Sequence, residues 1–199
     1  MRKPTTFMLA LVAIAGIAAV TLVSGPDSRS PLLETGTSLA PPRELPEFRL
    51  LDHRGEAFTR ASLTGRWHLI FPGFTRCPDI CPATLATLSQ VQQQLGSRAA
   101  RLTVILLTVD PARDTPETLS RYLAYFSPDF IGMTGEASQL KLLYEGLGIQ
   151  RIRIPGAGGE YSVDHSAALL LVNPEARLAG YFRPPFKAQA LVEDLQRVL

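Results

Sequence analysis

From about Glu47 onward, apolar and polar positions fall into two alternating periods, and the elements they predict succeed one another in a regular order. The stretch EFRLLDHRGEAFT reads as a strand pair about a turn at Asp52 to Gly55. WHLIFPGF is a short apolar run, read as a buried strand. After it, Leu85, Leu88, Val91 and Leu95 recur at helical spacing, and Gly96 is a natural stop. LTVILLTVD is apolar on both faces, the pattern of a strand in a parallel sheet covered by helices. DTPETLSRYLAYF predicts a helix with an N-cap at Asp114 or Thr115, Pro116 in its first turn, and Leu119, Tyr122, Leu123 and Phe126 apolar. FIGMTG is a further strand, and ASQLKLLYEGLG a helix closed by glycine. SVDHSAALLLVN, a turn at Pro174 and Glu175, and RLAGYF make a hairpin. KAQALVEDLQRVL is a terminal amphipathic helix with Leu191, Leu195 and Val198 facing inward.

The order strand, helix, strand, helix, strand, helix, hairpin, helix predicts an α/β fold, a central mixed sheet flanked by helices. The only two cysteines, Cys77 and Cys81, lie between an early strand and its helix, which points to a thioredoxin-like arrangement. Ahead of this domain, placed at residues 45–199, the pattern changes twice. Residues 1–25 carry Arg2 and Lys3 before an uninterrupted apolar stretch from Phe7 to Val23. At helical rise that stretch spans about 26 Å, slightly less than a hydrocarbon core of roughly 30 Å. It is longer than the apolar region of a cleaved signal, and Pro26 is awkward for a peptidase at the Val23-Ser24-Gly25 site. The expectation is an uncleaved signal anchor. Arg2 and Lys3 stay inside, and the domain lies on the extracytoplasmic, periplasmic side. Residues 26–44, rich in Pro and Ser with Pro26, Pro31, Pro41 and Pro42, read as an extended linker.

Charge changes the picture little. The chain has 20 basic and 18 acidic residues, and Arg2 and Lys3 account for the difference. No basic run interleaved with aromatics is present, so nothing points to nucleic acid.

The chemistry lies in FPGFTRCPDICPATL. A disulfide between Cys77 and Cys81 would close a very short loop and stabilise the fold by only about 2 kcal/mol, so a structural staple is weakly motivated. Pro78 and Pro82 turn the residues before them away from helical geometry. The helix is therefore expected to begin around Pro82 with Cys81 at its N-cap, and both sulfurs to lie near free backbone N–H groups. With Arg76 beside them, both are expected to favour the thiolate. A thiolate serves equally as nucleophile and as metal ligand, so a redox couple and a pair of ligands both stay open. The spacing is not the C-x-x-C of dithiol oxidoreductases, and PGFTRC lacks the peroxiredoxin pattern. Among the histidines, His53 reads as a solvated turn residue and His68 as a satisfied strand residue. His165 stands at the polar entry to an apolar strand, a position that by itself favours a structural role.

GFTRCPDICPATL, VDPARDTPETL, FIGMTG and YSVDHSAALLLVNP, in this order behind an N-terminal anchor, resemble the Sco/SenC family of copper-binding, thioredoxin-fold assembly factors for cytochrome c oxidase. The resemblance covers roughly residues 45–199. It implies that Cys77, Cys81 and His165 bind copper, as Cu(I) or Cu(II). Asp79 is a weaker ligand candidate and reads rather as a solvated loop carboxylate. Soft thiolates with imidazole suit copper, whereas a structural zinc site would lack its fourth ligand. Asp164 either orients His165 or faces solvent. Arg76 stands where many relatives have His, and Pro72 where they have an aromatic residue. DPARDTPE reads as structural, with Asp110 ending a strand and Asp114 or Thr115 capping a helix. The implied function is a copper metallochaperone delivering to the binuclear copper site of an oxidase subunit, receiving its metal from another copper chaperone. The alternative is a thiol–disulfide oxidoreductase in which Cys77 and Cys81 reduce that subunit's cysteines.

Overall fold

The computed structural model describes residues 33–199. The expected anchor and the start of the expected linker lie outside the described residues. Among the described residues, no helix is long and apolar enough to cross a membrane.

In chain order the elements are β1 (Thr37–Glu44), β2 (Arg49–Asp52), β3 (Ala57–Thr59), β4 (Trp67–Gly73), α1 (Ile80–Leu95), β5 (Leu102–Thr108), α2 (Pro116–Leu123) and β6 (Ile131–Thr134). There follow α3 (Ala137–Leu147), β7 (Arg151–Pro155), β8 (Tyr161–His165), β9 (Leu169–Val172), β10 (Arg177–Phe182) and α4 (Ala188–Val198). Among the described residues one mixed sheet has the order β1-β10-β9-β4-β5-β6-β2-β3, while β7 and β8 form a separate ribbon. β4, β5 and β6 are parallel, in register from Trp67 opposite Leu102 to Gly73 opposite Thr108 and from Ile105 opposite Ile131. β9 closes antiparallel onto β4, with His68 opposite Val172.

The central strands are apolar because they are covered on both faces, and β4, β5 and β9 are buried almost throughout. α1 packs against α4. Its Leu85, Leu88, Val91 and Leu95, the residues picked out by spacing, are all buried, each contributing about 2 kcal/mol of hydrophobic stabilisation. α2 begins as its sequence indicates: Thr115 is the N-cap, accepting from the Thr118 N–H at 3.3 Å, and Pro116 opens the helix. The strand pair about Asp52 to Gly55 and the hairpin turning at Pro174 and Glu175 both form.

Three expectations change. Thr37–Glu44, placed in the linker, form β1, an edge strand antiparallel to β10. Pro41 and Pro42 hid it by breaking the strand pattern; they sit where the register slips between Ser38 and Arg43, as an edge strand permits. Residues 34–36 are also tied down, because Asp194 on α4 accepts the Glu34 and Thr35 N–H groups at 2.7 and 2.8 Å and the Thr35 hydroxyl at 2.7 Å. Second, SVDHSAALLLVN is not one strand. Ser166 and Gln150 exchange two hydrogen bonds of 3.0 Å that close the β7–β8 ribbon, after which the chain changes partners and enters β9. Third, the pattern assigned nothing to β7, whose residues are all exposed and whose pairing is with β8 alone.

Candidate metal and thiol site

β4 ends at Gly73, and the chain crosses from the C-terminal edge of the sheet into α1 through Phe74 to Asp79. The helix starts two residues earlier than expected. Asp79 is the N-cap, so Cys81 lies inside the first turn and Pro82 is the third helical residue, where no backbone donor is needed. Cys77 and Cys81 are unbridged. They are brought together, since the Cys81 N–H points at Cys77 Sγ at 3.4 Å and the Cys77 N–H donates to the Phe74 carbonyl at 3.3 Å.

The two sulfurs are not equivalent. Cys77 is half-buried, whereas Cys81 is fully enclosed. The expectation of two thiolates fails for Cys81. Burial drives its thiol well above the ordinary range, the neighbouring Cys77 adds to this, and the hydrogen bond with the Phe74 backbone offsets it only in part. The enclosure is built by Gly73, where a side-chain carbon would stand 3.3 Å from Cys81 Sγ.

His165 ends β8. Tyr161, Val163 and His165 share the inner face of that strand, while Ser162 and Asp164 are exposed on the other. The imidazole is oriented by the Ser166 carbonyl, 2.9 Å from Nδ1. A carbonyl oxygen can only accept, so Nδ1 carries the proton and the Nε2 lone pair is left for an electrophile. Asp164 therefore faces solvent and does not orient the ring. His165 lines an open cleft of about 580 Å³ with Gln150, Arg151, Ile152, Asp164 and Ser166. Its ring meets Phe74 edge-on at 5.9 Å, so Phe74 touches both the cysteine loop and the histidine strand.

Among the described residues, no three His, Cys, Asp or Glu side chains are gathered closely enough to hold an ion. The structure thus brings the two cysteines together and sets His165 on a neighbouring ribbon, across Phe74. Asp79 is exposed, as expected. Arg76 reaches toward Glu160 of the ribbon at 3.8 Å. His53 differs from its reading: it is half-buried and its Nδ1 accepts the Gly132 N–H at 3.2 Å. So does His68, which is buried with neither ring nitrogen hydrogen-bonded. The Leu63 carbonyl nearby does not meet hydrogen-bond geometry, and burial lowers the pKa of His68 to about 4.

The sequence reading gave VDPARDT only a structural role and missed what it does here. Asp114 does not cap α2. Its buried carboxylate accepts the hydroxyls of Thr75 and Thr108, both at 2.6 Å, and the Thr75 N–H at 3.2 Å, fastening the cysteine loop to the end of β5. Asp110 is also buried and faces the other way. It pairs with Arg113 and accepts the Tyr161 hydroxyl at 2.8 Å, fastening the ribbon that carries His165. One short segment therefore holds both arms of the site. The available signal was the recurrence of Asp at 110 and 114 around a proline and an arginine.

A dithiol where the first parallel strand meets its helix, with an imidazole on a neighbouring ribbon across Phe74, defines a thioredoxin-like α/β protein with groups suited to thiol and soft-metal chemistry. The chain belongs to the SCO1/SenC family, whose model matches residues 37–199. Over 184 residues it is 42% identical to a protein of Stutzerimonas stutzeri whose name refers to copper binding, covering 91% of this chain and 88% of that one. Among solved structures, apo Sco1 from Thermus thermophilus superposes with a TM-score of 0.75 at 34% identity, covering 83% of this chain and 96% of that one. Copper-bound ScoI from Bradyrhizobium japonicum gives 0.73 at 33% identity, covering 78% and 99%.

Proposed function

We propose that this protein is a membrane-tethered copper chaperone. It binds copper through Cys77, Cys81 and His165 and passes it to the binuclear copper site of a cytochrome c oxidase subunit on the extracytoplasmic side. Its homologues are copper-binding Sco proteins involved in cytochrome c oxidase assembly. The observation that carries the reading is the 2.9 Å contact of His165 Nδ1 with the Ser166 carbonyl, which leaves Nε2 available as a ligand on the ribbon that faces the paired thiols across Phe74. Two sulfurs and one imidazole are soft to borderline donors that suit copper in either oxidation state and leave magnesium or calcium poorly served. Three donors on a loop and a ribbon make an incompletely saturated site, which favours release to an acceptor by ligand exchange.

A second reading rests on the unequal exposure of the thiols. The more accessible Cys77 thiolate attacks a cystine of the partner, forming a mixed disulfide and releasing one partner thiolate. Cys81 then attacks Cys77, releasing the second partner thiol. The partner's disulfide gains two electrons, and Cys77–Cys81 is left oxidised. His165 has no part in this sequence, so it separates the readings.

The test uses the reduced chain loaded with Cu(I) and challenged with a chelator. About one copper per chain is expected to be retained, and His165→Ala to lose most of it, since a thiolate pair alone is a weaker donor set. A reduced chain that keeps no copper overturns the chaperone reading. If His165→Ala loses copper, keeps thiol exchange and still supports oxidase assembly, the reductase reading stands instead.

A further inference from the structure

The β7–β8 ribbon has little of its own to hold it in place. It belongs to no larger sheet, β7 is exposed along its length, and of the inner-face residues of β8 only Val163 is fully buried. Beside Val163, the Phe74 contact of His165 and the long Arg76–Glu160 and Arg113–Glu160 pairs, Tyr161 makes the most contacts to the rest of the fold. The Tyr161 ring lies between two guanidinium groups, Arg113 at 3.7 Å and Arg153 at 3.9 Å from its centroid. Its carbonyl accepts from Arg113 at 3.1 Å, and its hydroxyl donates to buried Asp110. From Asp110 the contacts continue without a gap: its N–H donates to Thr108 Oγ1 at 2.9 Å, the Thr108 hydroxyl donates to Asp114, and Asp114 holds Thr75 of the cysteine loop.

Resting on the ligand set proposed above, we infer that Tyr161 is a positioning residue for His165, its hydroxyl bond to Asp110 setting the reach of the imidazole toward the two sulfurs. Tyr161 and His165 are four residues apart on one face of one strand, so a rotation of the ribbon about Tyr161 moves the imidazole directly. The sulfurs are fixed through Thr75 to the same short segment that holds the Tyr161 hydroxyl. The separation of the donors is thus decided at one joint, Thr108 to Asp114, rather than by the cysteine loop and the ribbon independently.

The test is Tyr161→Phe, which keeps the ring between its two guanidinium groups and removes only the hydroxyl. Cu(I) affinity, measured by chelator competition, is expected to fall roughly ten-fold, the lower range for a hydrogen bond to a charged group. Nitrogen hyperfine structure in the Cu(II) EPR spectrum is expected to weaken in parallel. In a His165→Ala background the same substitution is expected to change neither. Arg153→Gln, on the exposed strand, removes one flanking cation and is expected to shift affinity the same way by less. An affinity loss of equal size in both backgrounds, or unchanged affinity in the native background, overturns the inference. If His165→Ala alone leaves affinity unchanged, the ligand set fails and the positioning role fails with it. If His165→Ala weakens binding but Tyr161→Phe does not, only the positioning role fails.

Discussion

Replacing Asp114 with alanine removes the carboxylate that joins the cysteine loop to the end of β5. The residue is fully buried and accepts from the Thr75 hydroxyl, the Thr75 N–H and the Thr108 hydroxyl. A hydrogen bond to a charged group contributes about 1.5–3 kcal/mol, so three give a gross loss of about 4–9 kcal/mol. Against this stands the cost of keeping the carboxylate out of water. Burial raises the Asp114 pKa, and the Thr108 and Thr75 hydrogen bonds only partly oppose it. Removing the group recovers that cost, and the net destabilisation expected for Asp114→Ala is about 3 kcal/mol. Urea denaturation followed by circular dichroism measures it. A second readout is local. With Thr75 released, the loop opens, and the enclosed Cys81 thiol should react with an alkylating reagent several-fold faster under native conditions. Destabilisation below about 1 kcal/mol would refute the hydrogen-bond accounting. Full destabilisation with an unchanged Cys81 alkylation rate would refute the role of Asp114 in fastening the loop.

Other consequences follow from single side chains. His68 has a folded pKa of about 4 against an ordinary 6.5, so its neutral form is favoured in the fold. The fold is not penalised by this group above pH 6.5, loses stability as pH falls through the window from 6.5 to 4 because the unfolded chain binds the proton first, and carries a constant penalty below. Between pH 7 and 4.5 the native protein should therefore lose about 2 kcal/mol more than His68→Leu in paired urea titrations; a difference that does not vary with pH refutes the assignment. Gly73→Ala would place a carbon 2.9 Å from Leu106 Cδ1 and 3.3 Å from Cys81 Sγ. It should cost about 1–3 kcal/mol by overpacking and speed Cys81 alkylation, whereas an unchanged denaturation midpoint would show that the pocket yields freely. Asp194→Ala should release residues 34–36 from α4 and make the chain before β1 several-fold more sensitive to limited proteolysis. The Asp194 carboxyl is held below its ordinary value because the Glu34, Thr35 and Gly36 hydrogen bonds outweigh its burial, so this contribution is present above about pH 4 and lost as pH falls further.

Much of the sheet could be read from the chain because its central strands and helices carry their periods locally. LTVILLTVD is buried on both faces, and Leu85, Leu88, Val91 and Leu95 form one stripe. β1 and β7 could not be read this way, because neither has a buried face that imposes a pattern. One is an edge strand interrupted by prolines, and the other pairs only within an exposed ribbon. The site divides along the same line. Cys77, Cys81 and their prolines are adjacent in sequence, and motif order supplied His165. The role of VDPARDT stayed hidden because its partners, Thr75 and Tyr161, lie 39 and 51 residues away from Asp114 and Asp110.

The sequence by itself determined the fold class and the family, and it singled out Cys77, Cys81 and His165 as the residues to examine, since each is a matter of local period or of short motifs in order. Tertiary structure alone decided the environments of those residues. Enclosure by β4 and α1 pushes the Cys81 thiol pKa up while Cys77 stays more accessible, and the Ser166 carbonyl orients the His165 ring. It also decided that the histidine stands on a separate ribbon, tied to Asp110 through the Tyr161 hydroxyl, rather than in the main sheet. Burial and hydrogen-bond partners are properties of what surrounds a residue in space, and a chain specifies them only once distant segments have met.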